Sequence, residues 1–132
     1  MSSLTAIEKN KLEKLFGMQT GYVLHFSNRT FENFFSDFEI EIYSEKYNQG
    51  GSSKANLLRA FWKIESDHLV GQIISGMIES ANFPDEEKDL AKSCKQISQR
   101  LLSGKLNLSD IKSTVASFNL QYIENQIRRI EN

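Results

Sequence analysis

Apolar residues recur at helical spacing in one segment of this chain after another. Thr5 and Glu8 stand at capping-box spacing, and Leu4, Leu12, Leu15 and Phe16 fall near one face before Gly17, which predicts a first helix closed by that glycine. Residues 21–26 (GYVLHF) form a short apolar run whose period fits neither a strand nor a helix, so they read as a buried connector. Ser27 or Asn28 can cap a second helix in which Phe31, Phe34, Phe35 and Phe38 recur at i, i+3, i+4 and i+7. Residues 39–42 alternate like a short extended piece, and residues 48–53 (NQGGSS) are the clearest loop.

Leu57, Leu58, Phe61, Trp62 and Ile64 then mark a third helix. Ser66 opens a fourth, whose apolar positions run through Leu69, Val70, Ile73, Ile74, Met77, Ile78 and Ala81. Pro84 suits the first position of a fifth helix, with Asp85, Glu86, Glu87 and Asp89 at its positive end and Arg100 and Lys105 at its negative end. Its stripe is Leu90, Ala91, Cys94, Ile97, Leu101 and Leu102, with Gly104 as a stop. Ser109 or Asp110 opens a short sixth helix through Val115, and Leu120, Ile123, Ile127 and Ile130 stripe a last one. The expected architecture is therefore all-α, with six or seven helices, little or no sheet, and residues 1–132 as one domain.

Composition narrows the chemistry more than the fold. One cysteine among 132 residues excludes an internal disulfide and a multi-cysteine zinc site, and two histidines are too few for a His-rich centre. Sixteen basic against seventeen acidic residues give a net charge of -1, so no global positive field draws in nucleic acid or an anionic membrane. The charged residues among residues 8–14 interrupt any secretory apolar core, and no uncharged apolar run approaches the roughly 20 residues of a membrane helix. A cytoplasmic protein with no membrane contact is the expectation.

Candidate catalytic groups are sparse. Cys94 falls on an apolar stripe, where a thiol acts as a small hydrophobe. Asp67 and His68 are adjacent on a helix and point apart, which reads as a solvated first turn. Arg59 and His68 are too far apart for the Arg-to-His spacing of helical nucleases, and Glu39, Glu41 and Glu45 complete no metal-ligand pattern and read as solvated charges. No catalytic residue, metal or cofactor is expected.

The loop at residues 50–54 carries the one local constellation worth naming. A glycine-rich turn entering a helix exposes backbone N–H groups, so Ser52, Ser53 and Lys54, with Arg59 and Lys63 following, could contact a phosphate or nucleic acid. The spacing is not that of a Walker A loop, and a Gly-Gly turn with a serine cap is also an ordinary helix entry.

The runs at residues 21–31 (GYVLHFSNRTF), Phe34-Phe35, Ile42-Tyr43, residues 45–47 (EKY) and residues 50–61 (GGSSKANLLRAF) resemble the N-terminal region of bacterial abortive-infection proteins, which act in phage defence. Residues 118–130 (FNLQYIENQIRRI) resemble the helix that leads into the C-terminal domain of that family. The two matches span about half the chain. The family usually carries Asp where His25 stands, so His25 inherits no role.

The resemblance implies a non-catalytic recognition or protein-interaction module, with residues 118–132 as a linking helix to a C-terminal domain that the chain lacks. Its partners would be another protein or its own effector domain. A nucleic-acid or nucleotide-phosphate binding module is one alternative; a fragment of an effector enzyme with its catalytic domain beyond residue 132 is another. An uncovered stripe of Ile123, Ile127 and Ile130 would also favour a homo-oligomer.

Overall fold

A computed structural model describes residues 1–103, and all regular structure among them is helical. Five α-helices follow one another: α1 (Ala6–Leu15), α2 (Asn28–Ser36), α3 (Lys54–Ile64), α4 (Asp67–Ser80) and α5 (Lys88–Ser103), with single 3-10 turns at Met18–Thr20, Glu45–Tyr47 and Asp85–Glu87. The expected sixth and seventh helices, with Ile123, Ile127 and Ile130, lie outside the described residues.

Local chemistry places the helix starts. The capping box at α1 is complete: the Glu8 N–H donates to the Thr5 hydroxyl at 3.1 Å, and the Thr5 N–H donates to the Glu8 carboxylate at 2.9 Å. Ser27 caps α2, where the Thr30 hydroxyl closes a second box. Ser53 and Ser66 cap α3 and α4. Gly17 stands in the left-handed region at φ 64°, the conformation that turns the chain out of α1. The fifth helix departs from expectation, because the acidic turn after Pro84 is 3-10 and α5 begins only at Lys88.

Residues 39–42 do alternate, with Ile40 and Ile42 buried and Glu39 and Glu41 exposed, but they form no strand. They continue the close of α2. The Ile40 N–H donates to the Phe35 carbonyl at 3.0 Å and the Glu39 N–H to the Ser36 carbonyl at 2.9 Å, the paired bonds of a Schellman motif. Glu39 therefore occupies, at φ 61°, a left-handed position that normally takes glycine.

Packing orders the helices. Lys95 reaches Glu79 at 3.2 Å while Gly71 lies against Ser98, Leu101 and Leu102, so α4 and α5 run antiparallel along their length. A Cβ on Gly71 would stand 3.0 Å from Leu102 Cγ, 3.1 Å from Leu101 Cβ and 3.1 Å from the Ser98 carbonyl, which makes the bare Cα a condition of that approach. Helix α1 also runs antiparallel to α5, through Glu8–Arg100 and Lys11–Ser93. Helix α2 has only nine residues, too few to persist alone. Its rings hold it: Phe31 and Phe35 pack at 5.0 Å and Phe35 meets Phe61 of α3 at 5.3 Å, each buried ring contributing roughly 1.5–3 kcal/mol. Phe34 and Phe38 are half-buried and lean on α4 at Gly76. Trp62 is fully buried, and among the described residues its indole N–H has no hydrogen-bond partner.

The N-terminal segment laces the far end together. The Met1 ammonium donates to the Ile64 carbonyl at 3.1 Å, and the Ser2 hydroxyl donates to the Trp62 carbonyl, so both meet the negative end of α3. Asp67 is not the solvated first-turn residue expected: it accepts from the Ser3 N–H and, at 2.8 Å, from the Ser3 hydroxyl. Arg100 reaches the same Ser3 hydroxyl at 3.0 Å and grips Glu8 with two bonds, 2.9 Å and 2.7 Å. Burial alone would raise the Glu8 carboxyl, but the bonds from Arg100 and Thr5 hold it below the usual 4.5. Burial pushes the His68 imidazole, in the first turn of α4, below the usual 6.5.

Both shifts are depressions, so each group's contribution is complete above its unfolded pKa and is lost as pH falls through the folded value. Stability measured by urea denaturation should decline first below about pH 6.5 and again below about pH 4.5. His68→Gln should remove the upper step and Glu8→Gln the lower; a profile flat from pH 7 to 4 in the wild type would contradict both assignments. Gly71→Ala should cost roughly 1 kcal/mol net, overpacking outweighing the helix-propensity gain. Glu39→Gly should gain roughly 0.5 kcal/mol by relieving the left-handed residue.

Candidate functional site

Among the described residues, the connector after α1, the start of α2, Tyr43 and the start of α3 converge in space. The Gly21 carbonyl accepts the Ala55 N–H at 3.0 Å, docking the connector after α1 onto the start of α3. Lys54 donates to the Asn28 side-chain oxygen at 2.9 Å, the Tyr43 hydroxyl donates to the same atom at 3.3 Å, and the Lys54 ammonium stands 4.8 Å from the Tyr22 ring centroid. Tyr43 packs on Phe31, and Tyr47 on Phe61. Three stretches separated in sequence, residues 21–28, Tyr43 and the start of α3, thus share one cluster, with Lys54 only 8% exposed at its centre.

The start of α3 has little left to offer an anion. Of its leading N–H donors, Ala55 is taken by the Gly21 carbonyl and Asn56 by the Ser53 hydroxyl. Lys54 is turned inward onto Asn28. Arg59 donates to the Glu13 carboxylate from two nitrogens, at 2.9 Å and 2.6 Å, and to the Asn56 side chain at 2.8 Å, so its charge is offset by α1. Lys63 is exposed near the other end of α3, and at about 100° per residue it lies about 180° around the helix from Lys54. Ser52 is exposed and Ser53 caps the helix. The three cations, with no acid between them in sequence, do not meet on one face.

The described chain also has an open groove of about 550 Å³, bounded by the connector after α1 and the connector from α4 to α5. Leu15, Phe16, Leu24, Phe26 and Phe83 give it an apolar lining, with Tyr22, His25 and Glu87 among its polar edges. Residues 21–26 are thus not the uniformly buried connector expected. Val23 is buried, while Tyr22 is 58% exposed and His25 is exposed. Leu24 lies at φ 51°, with its N–H returning to the Phe16 carbonyl at 2.7 Å, and a branched side chain adopts that backbone only at a cost of roughly 1–2 kcal/mol. Sequence reasoning missed this surface: Phe26 and Phe83 stand outside every helical stripe, so no periodicity marked them.

Cys94 is fully buried on α5, and burial pushes its thiol up to about 11, consistent with a packing residue. Among the described residues no group of His, Cys, Asp and Glu could hold a metal ion, and no helix is long and apolar enough to cross a membrane. No family model matches the chain, and neither a curated protein nor a solved structure matches it.

If Arg59 serves α1 and not a ligand, Arg59→Ala should lower stability by roughly 1 kcal/mol with Glu13 present and by less than half of that in a Glu13→Ala background. Equal losses in the two backgrounds, read from urea midpoints, would refute the pairing.

Proposed function

We propose that this chain is a non-catalytic helical recognition module of a bacterial antiphage abortive-infection system, and that its groove receives a protein segment. The observation that carries this reading is the contrast between its polar and apolar surfaces. Glu8, Asp67, Arg100, Glu13, Arg59 and Lys54 are each engaged in tying one element to another. The apolar wall of Leu24, Phe26 and Phe83 faces an open space within the 300–1,000 Å³ typical of binding sites. The family resemblance supplies the biological setting, since it covers both Tyr22 and Phe26 on one bank. Binding of this kind is driven by aromatic and aliphatic anchors entering such a surface, with rim charges setting orientation.

Phage challenge of a bacterial host expressing the full reading frame tests the proposal. Plating should fall, and Tyr22→Ala with Phe83→Ala should restore it while the purified variant keeps its cooperative unfolding. Protection indifferent to the groove would overturn the assignment of the site. Turnover of nucleic acid, nucleotides or NAD by the purified chain, abolished by a point substitution, would overturn the non-catalytic reading.

A further inference from the structure

We propose that the groove takes a segment of a partner protein in which an aromatic or aliphatic anchor stands beside lysine or arginine. The inference rests on the reading of the groove as a site for a protein segment and names the chemistry of that segment. Its first support is Glu87. Among the described residues, the half-buried acids are Glu8, Glu13, Glu65, Asp67 and Glu87. The fold holds the first four: Glu8 through Arg100, Glu13 through Arg59, Glu65 through Lys46 and Tyr47, and Asp67 through Ser3. Glu87 lines the groove, and among the described residues it has neither an ion pair nor a side-chain hydrogen bond. A carboxylate half withdrawn from water gains more from an arriving cation than one at the open surface, because the local dielectric is lower.

The second support is the division of charge between the two banks. Residues 15–28, which supply one bank, contain no Asp, Glu, Lys or Arg; Lys14 and Arg29 bound this run, and neither is in the lining. Residues 81–87 supply the other bank, and Lys88 and Asp89 follow it. Lys88 is tied to Asp85 at 2.8 Å, which leaves Glu86, Glu87 and Asp89 without a base among the described residues. An apolar wall beside a one-sided acidic bank accepts an apolar anchor and orients it by a cation on that side. An acidic flank would set like charges against Glu87 and be rejected. On the neutral bank Tyr22, 58% exposed, adds an aromatic ring that suits a guanidinium.

Panning a displayed library of random peptides against the full chain tests the proposal, with recovered sequences measured as labelled synthetic peptides by fluorescence anisotropy. They should carry lysine or arginine beside an aromatic or aliphatic anchor. Exchanging those bases for glutamate should weaken binding at least about tenfold at low salt, and the two peptides should converge at about 1 M salt, where the screening length is about 3 Å. Glu86→Gln with Glu87→Gln in the chain should cost the basic peptide about fivefold without moving the unfolding midpoint, since neither carboxylate has a partner to lose. Equal binding of basic and glutamate-bearing peptides, lost in a cooperatively folded Phe83→Ala variant, would overturn the charge preference and leave the groove as a site for a protein segment. Basic peptides indifferent to both Phe83→Ala and Tyr22→Ala would overturn the groove itself. Self-association of the full chain that Phe83→Ala abolishes would give the site to a second copy and overturn the proposed partner. Recovery of no peptide would also overturn that partner, while loss of phage protection in the groove variants would still uphold the groove.

Discussion

The carboxylate of Glu8 is the point on which the described helices depend. One oxygen accepts the Thr5 N–H that starts α1, and the two oxygens together hold the Arg100 guanidinium of α5. Arg100 also reaches Ser3, and Ser3 binds Asp67 in the first turn of α4. A single acid thus joins a local capping motif to a link between three helices and the N-terminal segment. Isolated surface ion pairs contribute little, but this one has two bonds, a half-buried carboxylate and shared partners, the circumstances in which such contacts hold geometry. With α1 fixed against α5, the antiparallel α4–α5 pair has its third wall, and the rings of α2 and α3 close the remaining side.

What the sequence made legible was local. The capping residues of α1, α2, α3 and α4, the stop at Gly17 and most of the buried positions of each helix follow from spacing, because caps and stripes are set by neighbours within a turn or two. Leu102 of the expected α5 stripe is exposed, and Ala81 of the α4 stripe lies just past the helix end. Trp62, whose helix carries more apolar residues than one face requires, proved to be core. Residues 39–42 misled because alternation of buried and exposed positions arises equally in a helix ending followed by a turn. The 3-10 turn after Pro84 was hidden for a similar reason: acidic residues suit the start of either kind of helix.

The candidate site was legible only in fragments, and the reason is again distance. Lys54, Arg59 and Lys63 follow one another in sequence with no acid between them, yet Asn28 and Glu13, the side chains that engage the first two, lie 26 and 46 residues away. Helical rotation then carries Lys63 to the opposite side. The groove is the converse case: Phe26 and Phe83 have no periodic neighbours to mark them, and only the meeting of two connectors brings them to one space. Periodicity finds surfaces made by one helix and misses those made between loops.

The contact between Glu8 and Arg100 spans 92 positions of the chain. During synthesis at about 5–20 residues per second, α1 therefore leaves the ribosome roughly 5–20 s before its partner on α5 is made. Leu12, Leu15 and Phe16, almost wholly covered in the finished fold, have no α5 to lie against throughout that interval. The α4–α5 pair, by contrast, is closed by a short connector and can form as soon as it emerges. Nascent α1 thus shows these apolar side chains outside the ribosome, where a chaperone's temporary cover would shield them until α5 emerges.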